Sequence, residues 1–356
     1  MAKIVKILDR EIGPGRPAYI VAEAGINHNG DPEIARKLID VAVEAGANAV
    51  KFQKRTPRDI LTRQAYERPY ESEHAYAPTY GEHREKLELS GDDYRRLAAY
   101  AAHKGIHFFA SVWDPASADF MAALGAPAFK IPSADLINLP LLEYVAKKGK
   151  PMVVSTGMST MEEVAEAVKT IRRSNDELIL MHCVSTYPCE NWDVNLRVMN
   201  ELRERFDVPV GYSGHDRGVA IPVAAVAMGA CAVEKHITLD RTMRGSDHAA
   251  SLEPEGLRRV VRYIRNAEAA MGDGVKRILA SEESLRVKLA KSIVTREPIP
   301  AGVAISAGML GVKSPGSGLP PRFIPALVGR VAPVALDEDV VVPAEAINWP
   351  RQGQAV

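Results

Sequence analysis

Cysteine is scarce. The 356 residues hold three, Cys183, Cys189 and Cys231, an odd number with no Cys-x-x-Cys pair. That argues against a disulfide framework and for a reducing, cytoplasmic setting. Neither sign of charge is in excess, with 45 Lys plus Arg against 45 Asp plus Glu. Nothing overall therefore favours nucleic acid or an anionic membrane, and any anion site has to be local. Long hydrophobic runs are missing. The most apolar stretch, residues 219–233, carries Pro222 and Gly229 and is too short for a membrane span; it reads as a buried helix running into a strand. The opening MAKIVKILDREIG has neither the apolar core nor the cleavage site of an export signal. No Gly-x-Gly-x-x-Gly or P-loop pattern occurs, so a nucleotide cofactor is not indicated.

What is present is a strict alternation. YIVAEAG (residues 19–25) reads as a strand, and Asp31 with Pro32 then opens a helix. NAVKFQK follows as a second strand. After a long polar segment, residues 55–89, too long for an ordinary connection and expected near a functional site, Ser90 starts another helix. The pattern continues through IHFFASV, APAFKIPS, PMVVSTG, LILMHCVS, VPVGYSGHD and CAVEKH, each followed by a helical segment. Eight strands alternating with eight helices over roughly 270 residues predict a (β/α)8 TIM barrel. From about Gly272 the texture changes to a linker with a short helix, and then to a Pro-, Gly- and Val-rich tail with short strands. The expected organisation is a barrel domain over 1–272, a linker over 273–290 and a small mostly-β domain over 291–352.

Barrel enzymes work at the carboxyl ends of their strands, and alternate residues of a strand share a face. Gly211, Ser213 and His215 share one face of the seventh strand, and Glu234 and His236 one face of the eighth. The two neighbouring strands thus bring two imidazoles together as candidate metal ligands, with Asp247 on the loop beyond. Other strand ends offer Glu23, with Asn27 and His28 just after it, then Lys51 with Gln53, Ser111, Lys130 with Ser133 and Asp135, Ser155, and Ser185 with Tyr187. Two lysines flanked by apolar residues are costly to bury unless a counter-charge meets them. With convergent hydroxyls they describe a pocket for a small, highly charged anion. Two imidazoles plus oxygens leave open coordination positions, so a bound ion would be catalytic, acting as a Lewis acid on a carbonyl oxygen. Mn2+ and Mg2+ stand beside Zn2+ as candidates. Glu23 is a candidate base, or the holder of a metal-bound water.

These residues carry a resemblance. AEAGINHNGD (22–31), KFQ (51–53), YGEHREKLELS (80–90), FKIPSAD (129–135), STGMST (155–160), HCVSTYP (182–188), GYSGHD and EKHITLDRTMRGSDHAASLEP together resemble the sialic acid synthases, and the last domain resembles their antifreeze-like (SAF) cap. The resemblance implies a nonulosonic acid synthase that condenses phosphoenolpyruvate with the open-chain form of an N-acylated aminosugar and releases phosphate. N-acetylmannosamine is the first candidate, with its 6-phosphate or a legionaminate- or pseudaminate-type sugar as alternatives. It implies His215 and His236 on the metal, Lys130, Ser133, Ser155 and Ser213 on the phosphate, and Lys51 on the carboxylate. Gln53, Asp135, Tyr187 and Asp247 would meet the sugar, and Glu23 the water that attacks C2. It also implies a domain-swapped homodimer. The chain departs from the common pattern at Ser111-Val112-Trp113-Asp114, at Ser185, where Asn is frequent, and at Ser314, where many relatives place a cap arginine. Arg322, or Arg55, Arg58, Arg63 and Arg68 of the long segment, are candidates to compensate. Two other readings compete: a different phosphoenolpyruvate-using barrel synthase, and a sugar- or anion-binding barrel without turnover.

Overall fold

The chain enters with a short antiparallel hairpin, β1 (Val5–Ile7) and β2 (Arg10–Ile12). Its strands of three residues are too brief to leave a periodic signature and were not expected. Val5, Ile7 and Ile12 are fully buried in the barrel's apolar core. Asp9, in the turn, meets the His107 ring at 2.8 Å, and that ring also bonds Tyr19. Since Tyr19 and His107 are the first residues of their strands, the hairpin lies across the amino-terminal end of the barrel.

The barrel itself is formed by β3 (Tyr19–Gly25), β4 (Ala49–Lys54), β5 (His107–Val112), β6 (Phe129–Ile131), β7 (Met152–Ser155), β8 (Leu178–Cys183), β9 (Val210–Gly214) and β10 (Ala232–His236). All are parallel, each pairs with the next in sequence, and β10 closes on β3. The closed barrel is the one the strand–helix alternation predicts. This computed structural model describes residues 3–353.

The helices begin where the sequence supplies acceptors for their unpaired amides. Asp31 accepts from the amides of Glu33 and Ile34 ahead of the helix Pro32–Ala45, and Gly46, at φ +79°, ends it. Ser90 with Asp93, and Thr160 with Glu163, form reciprocal capping boxes. Caps of this kind contribute about 1 kcal/mol each and fix where each strand-to-helix turn stops. The segment 55–89 is not an open loop. It folds into three short helices, Pro57–Ile60, Arg63–Glu67 and Tyr80–Lys86.

Register decides which polar groups meet. His236 lies beside Glu23, and Glu23 beside Lys51. Gln53 lies beside Ser111, and Ser111 beside Lys130. Cys183 lies beside Ser213, and Ser213 beside Glu234. Most of these residues stand in the last turns of their strands, so the polar ring belongs to the carboxyl end. The ladder shifts between Glu23 and Gly25, where Gly25 has φ +55°. A side chain there would crowd Glu23 Oε1 and the His236 ring, each 3.3 Å from the Cβ position.

A second compact unit begins at Asp273. It contains the helix Ala280–Leu289 and a hairpin of β11 (Ser292–Thr295) with β12 (Leu310–Lys313). Isolated antiparallel bridges join Val294 to Val341, Ile299 to Leu336 and Ala304 to Val331 around its own core of Ile293, Ile299, Ile305, Leu327 and Val342. Among the described residues no helix is long and apolar enough to cross a membrane.

Candidate active site

Four charged side chains from four strands meet inside the barrel. Lys130 Nζ donates to both carboxylate oxygens of Glu234 at 2.9 Å. Lys51 Nζ lies 3.6 Å from Glu234 Oε1 and 2.8 Å from Glu23 Oε2. The last contact is an ion pair without hydrogen-bond alignment; Lys51 donates instead to Ser111 Oγ at 2.7 Å. Gln53 donates to Glu23 Oε1 at 3.2 Å, and Ser213 Oγ to Glu234 Oε1 at 3.2 Å. None of the four charged residues is more than 4% exposed. The counter-charges that buried lysines require are therefore supplied by Glu23 and Glu234 when no anion is bound.

The environments of the two carboxyls differ. Burial, reinforced by the charge of Glu234 and only partly opposed by Lys51, pushes Glu23 up to about 7. Burial acts the same way on Glu234, but Lys130 and Lys51 outweigh it and hold that carboxyl down at about 2. One carboxylate stays ionised while the other titrates near neutrality, the separation expected where one group anchors charge and the other moves a proton. Burial lowers the Lys130 pKa despite Glu234, whereas Glu23 and Glu234 together overcome burial at Lys51 and raise its pKa.

Above this floor a cavity of ≈ 300 Å³ opens. Its wall contains Glu23, Lys51, Gln53, Ser111, Lys130, Ser133, Ser155, Ser185, Tyr187, Ser213, His215, His236 and Asp247. Of the side chains given a role toward substrate or metal from the sequence, Asp135 does not line it. It sits in the 3-10 turn Ser133–Asp135, where strand alternation no longer applies, and one of its oxygens accepts from Asn138 at 3.0 Å. Asn27 and His28 also stay off the cavity wall. Both are buried, and the Asn27 amide braces the eighth strand end through the Ile237 carbonyl at 2.9 Å and Ser251 at 2.8 Å. Gly157 lets its loop close: its amide donates to Ser133 Oγ at 3.1 Å, and a Cβ there would fall 2.7 Å from that oxygen.

The structure adds residues that the sequence reading left without a role. Glu234 is the first, although its position two residues before His236 on the same face was the available signal. Cys183 is another; it ends β8 on the inward face, 3.8 Å from His215 Nδ1. Tyr70, Tyr80, His83, Arg84 and Trp113 complete the outer wall. Arg84 donates to Tyr80 Oη at 2.6 Å. Arg55, one of the candidates to replace the missing cap arginine, is instead buried against Glu88 at 2.7 Å. Arg58 is exposed and pairs with Glu85 at 3.2 Å; Arg63 and Arg68 are exposed.

Residues 38–276 match the NeuB family and residues 290–348 the SAF domain. The chain belongs to the NeuB family. The human N-acetylneuraminate-9-phosphate synthase is 44% identical over 349 residues, 96% of this chain and 97% of its own. The N,N'-diacetyllegionaminic acid synthase of Legionella pneumophila is 39% identical over 323 residues, 89% of this chain and 91% of its own. Among solved structures, the N-acetylneuraminic acid (sialic acid) synthetase of Leptospira borgpetersenii serovar Hardjo-bovis, in complex with citrate, superposes with a TM-score of 0.71 at 32% identity, covering 80% of this chain and 95% of that one.

The His215 and His236 ring centres are 5.4 Å apart. With metal–nitrogen bonds of about 2.1 Å, two rings on adjacent positions of one ion have centres roughly 5 Å apart. The Nδ1–H of His215 donates to the Val184 carbonyl at 2.6 Å, so in the neutral ring the lone pair is on Nε2. His236 Nδ1 is buried without a hydrogen-bond partner, 3.8 Å from Asp247 Oδ2. Burial holds His236 neutral, down at about 3. Among the described residues no three His, Cys, Asp or Glu side chains gather as a metal cluster. His215 and His236, at this ring separation and with His236 Nδ1 orphaned, are the two side chains here that could hold a divalent ion.

Proposed function

We propose that this chain is a nonulosonic acid synthase that joins phosphoenolpyruvate to the open aldehyde form of an N-acylated aminosugar and releases phosphate. C3 of phosphoenolpyruvate forms the bond to the aldehyde carbon, water adds at C2, and the C2–O bond to phosphate breaks. The observation that carries this reading is the buried Glu23–Lys51–Glu234–Lys130 tetrad beneath a cavity ringed by serines. It keeps two ammonium groups ready for a polyanion in a water-poor site, where each charge interaction is strong.

In this reading Lys130, with Ser133, Ser155 and Ser213, takes the phosphate, and Lys51 takes the carboxylate. Glu23 holds the water that attacks C2 and accepts its proton, with Gln53 fixing the carboxyl. Ser111 orients Lys51. Tyr187, Asp247 and Ser185 face the sugar. His215 and His236 would hold a divalent cation, Mn2+ or Mg2+, whose chemistry is to polarise the aldehyde oxygen. The Tyr187 ring packs against that of His215, centres 3.9 Å apart with the planes tilted by 34°, and so restricts that imidazole.

A second reading concerns the acceptor. Adding three carbons turns C6 of an aminosugar into C9 of the product, and the human relative is named for a 9-phosphate. Arg84, Tyr80 and His83 on the outer wall are donors suited to such a phosphate. The proposal also includes a homodimer in which the SAF unit serves the partner's barrel. Support comes from the helix Ala280–Leu289, which buries none of its side chains and leaves Leu285, Val287 and Leu289 more than half exposed. Mass spectrometry of products formed from phosphoenolpyruvate with N-acetylmannosamine, its 6-phosphate and a 2,4-diacetamido sugar tests the function. A nonulosonate with equimolar phosphate is expected. Failure with all three, Mn2+ or Mg2+ being present, would return the chain to the class of binding barrels.

A further inference from the structure

On the outer side of the barrel wall, directly behind the two histidines, lies a second buried ion pair that the proposed chemistry does not use. Asp216 follows His215 and Lys235 precedes His236, and neither lines the cavity. Lys235 Nζ donates to the Asp216 carbonyl oxygen at 2.5 Å and lies 3.2 Å from Asp216 Oδ1. Tyr212 Oη donates to the same Oδ1 at 2.6 Å. The exposures of Asp216, Lys235 and Tyr212 are 0%, 1% and 2%. Asp216 Oδ2 is left without a partner.

We infer that the Asp216–Lys235 pair is a positioning device that sets the spacing of His215 and His236 and, through it, the affinity for a divalent cation. The inference rests on the two-histidine reading given above. The backbone ladder between β9 and β10 stops at the Gly214–Lys235 pair. Beyond that point His215 is tied towards β8, through its ring to Val184 and through its carbonyl to the Cys189 amide at 3.0 Å. The continuation of β10 turns to β3 instead, with the Ile237 amide on the Glu23 carbonyl at 2.8 Å. Among the described hydrogen bonds, the Lys235 ammonium is what links β10 to the turn that carries His215. It grips the carbonyl of the Asp216–Arg217 peptide, one peptide beyond those that flank His215, and so restrains the turn from which that ring projects. Gly214 makes room for the grip: a Cβ there would lie 2.5 Å from Asp216 Oδ1.

Stability alone is a poor account of the arrangement. A buried ion pair with one oxygen unpaired gains little or nothing over two packed apolar side chains. What an ion pair supplies and apolar packing does not is a fixed direction.

The test titrates the full-length protein with Mn2+, reading the free ion by EPR, for wild type, D216N and D216N/K235M, with thermal unfolding of each metal-free protein alongside. The double variant should melt at or above the wild-type temperature, since no lone charge is left buried. Its Mn2+ dissociation constant should rise by at least about tenfold, the scale on which outer groups tune a metal site. D216N, which keeps the shape and an accepting oxygen, should show a smaller rise. A double variant that melts normally and binds Mn2+ with the wild-type constant would overturn the inference and leave the proposed function standing. If the double variant does not fold, D216N decides, and an unchanged constant there overturns it. Wild-type protein without saturable Mn2+ binding would remove the two-histidine reading and the inference together.

Discussion

Glu234 grips Lys130 with both carboxylate oxygens, at 2.9 Å each, and lies 3.6 Å from Lys51. One carboxylate therefore stands between two ammonium groups, none of them more than 4% exposed. Removing it leaves buried positive charge with half its compensation, a change that costs about 3–5 kcal/mol. Glu234→Gln should lower the free energy of unfolding by that order in urea denaturation. Phosphoenolpyruvate, a polyanion, should restore more stability to the variant than to the wild type. Equal stabilisation of both would dissociate Glu234 from the anion site.

Lys130→Met leaves Lys51 and the histidines in place and removes one ammonium from the cavity floor. Glu234 remains compensated through Lys51. We expect the KM for phosphoenolpyruvate to rise tenfold or more, because a charge-assisted contact contributes about 1.5–3 kcal/mol. The KM for the sugar should hold. Steady-state phosphate release distinguishes the two, and a variant with both constants unchanged would release Lys130 from its assignment.

Glu23 has to be ionised to take a proton from water, and its pKa lies at about 7. Activity, read as kcat/KM, should fall on the acid side of that value. Glu23→Gln should remove the limb and cost about 10²- to 10⁴-fold in rate. The stability effect has the opposite sign. A carboxyl raised from 4.5 to about 7 by folding contributes stability that is complete below about 4.5 and lost as pH rises through about 7. Glu234, lowered from 4.5 to about 2, contributes stability that is present above about 4.5 and lost as pH falls towards about 2. Urea midpoints measured across pH 4–8 for wild type and Glu23→Gln would isolate the first contribution.

His236→Ala opens a small space against Tyr187 and His215. The barrel should stay folded, with a circular dichroism spectrum like that of the wild type, while bound Mn2+ and condensation are both lost. Undiminished turnover after this change would take His236 out of the mechanism.

The barrel was legible in the chain because each strand obeys one periodicity and each helix announces its start, as at Asp31, Ser90 and Thr160. The two histidines were legible for the same reason: along β10, and along β9 and the residue that follows it, every second side chain has one direction to go. Reading failed where that rule ends. Asp135 lies in a 3-10 turn and spends an oxygen on Asn138. Arg55 looked like one charge among many in a polar segment, yet Glu88, 33 residues later, buries it. Glu234 was seen to share a face with His236, but its partners come from β4 and β6, and strand register, which single-strand periodicity does not encode, is what joins them. The same holds for Tyr80, His83 and Arg84, whose helix reaches the cavity from a segment with no repeating pattern of its own.

The hairpin across the amino-terminal end makes the barrel a cup. Lys51 and Lys130, each 2% exposed, belong to its depth, while Tyr80 and Arg84 stand at its partly open rim. In the proposed reaction that depth sets an order of traffic: the three-carbon anion descends before the sugar settles over it, and the longer product leaves past the rim.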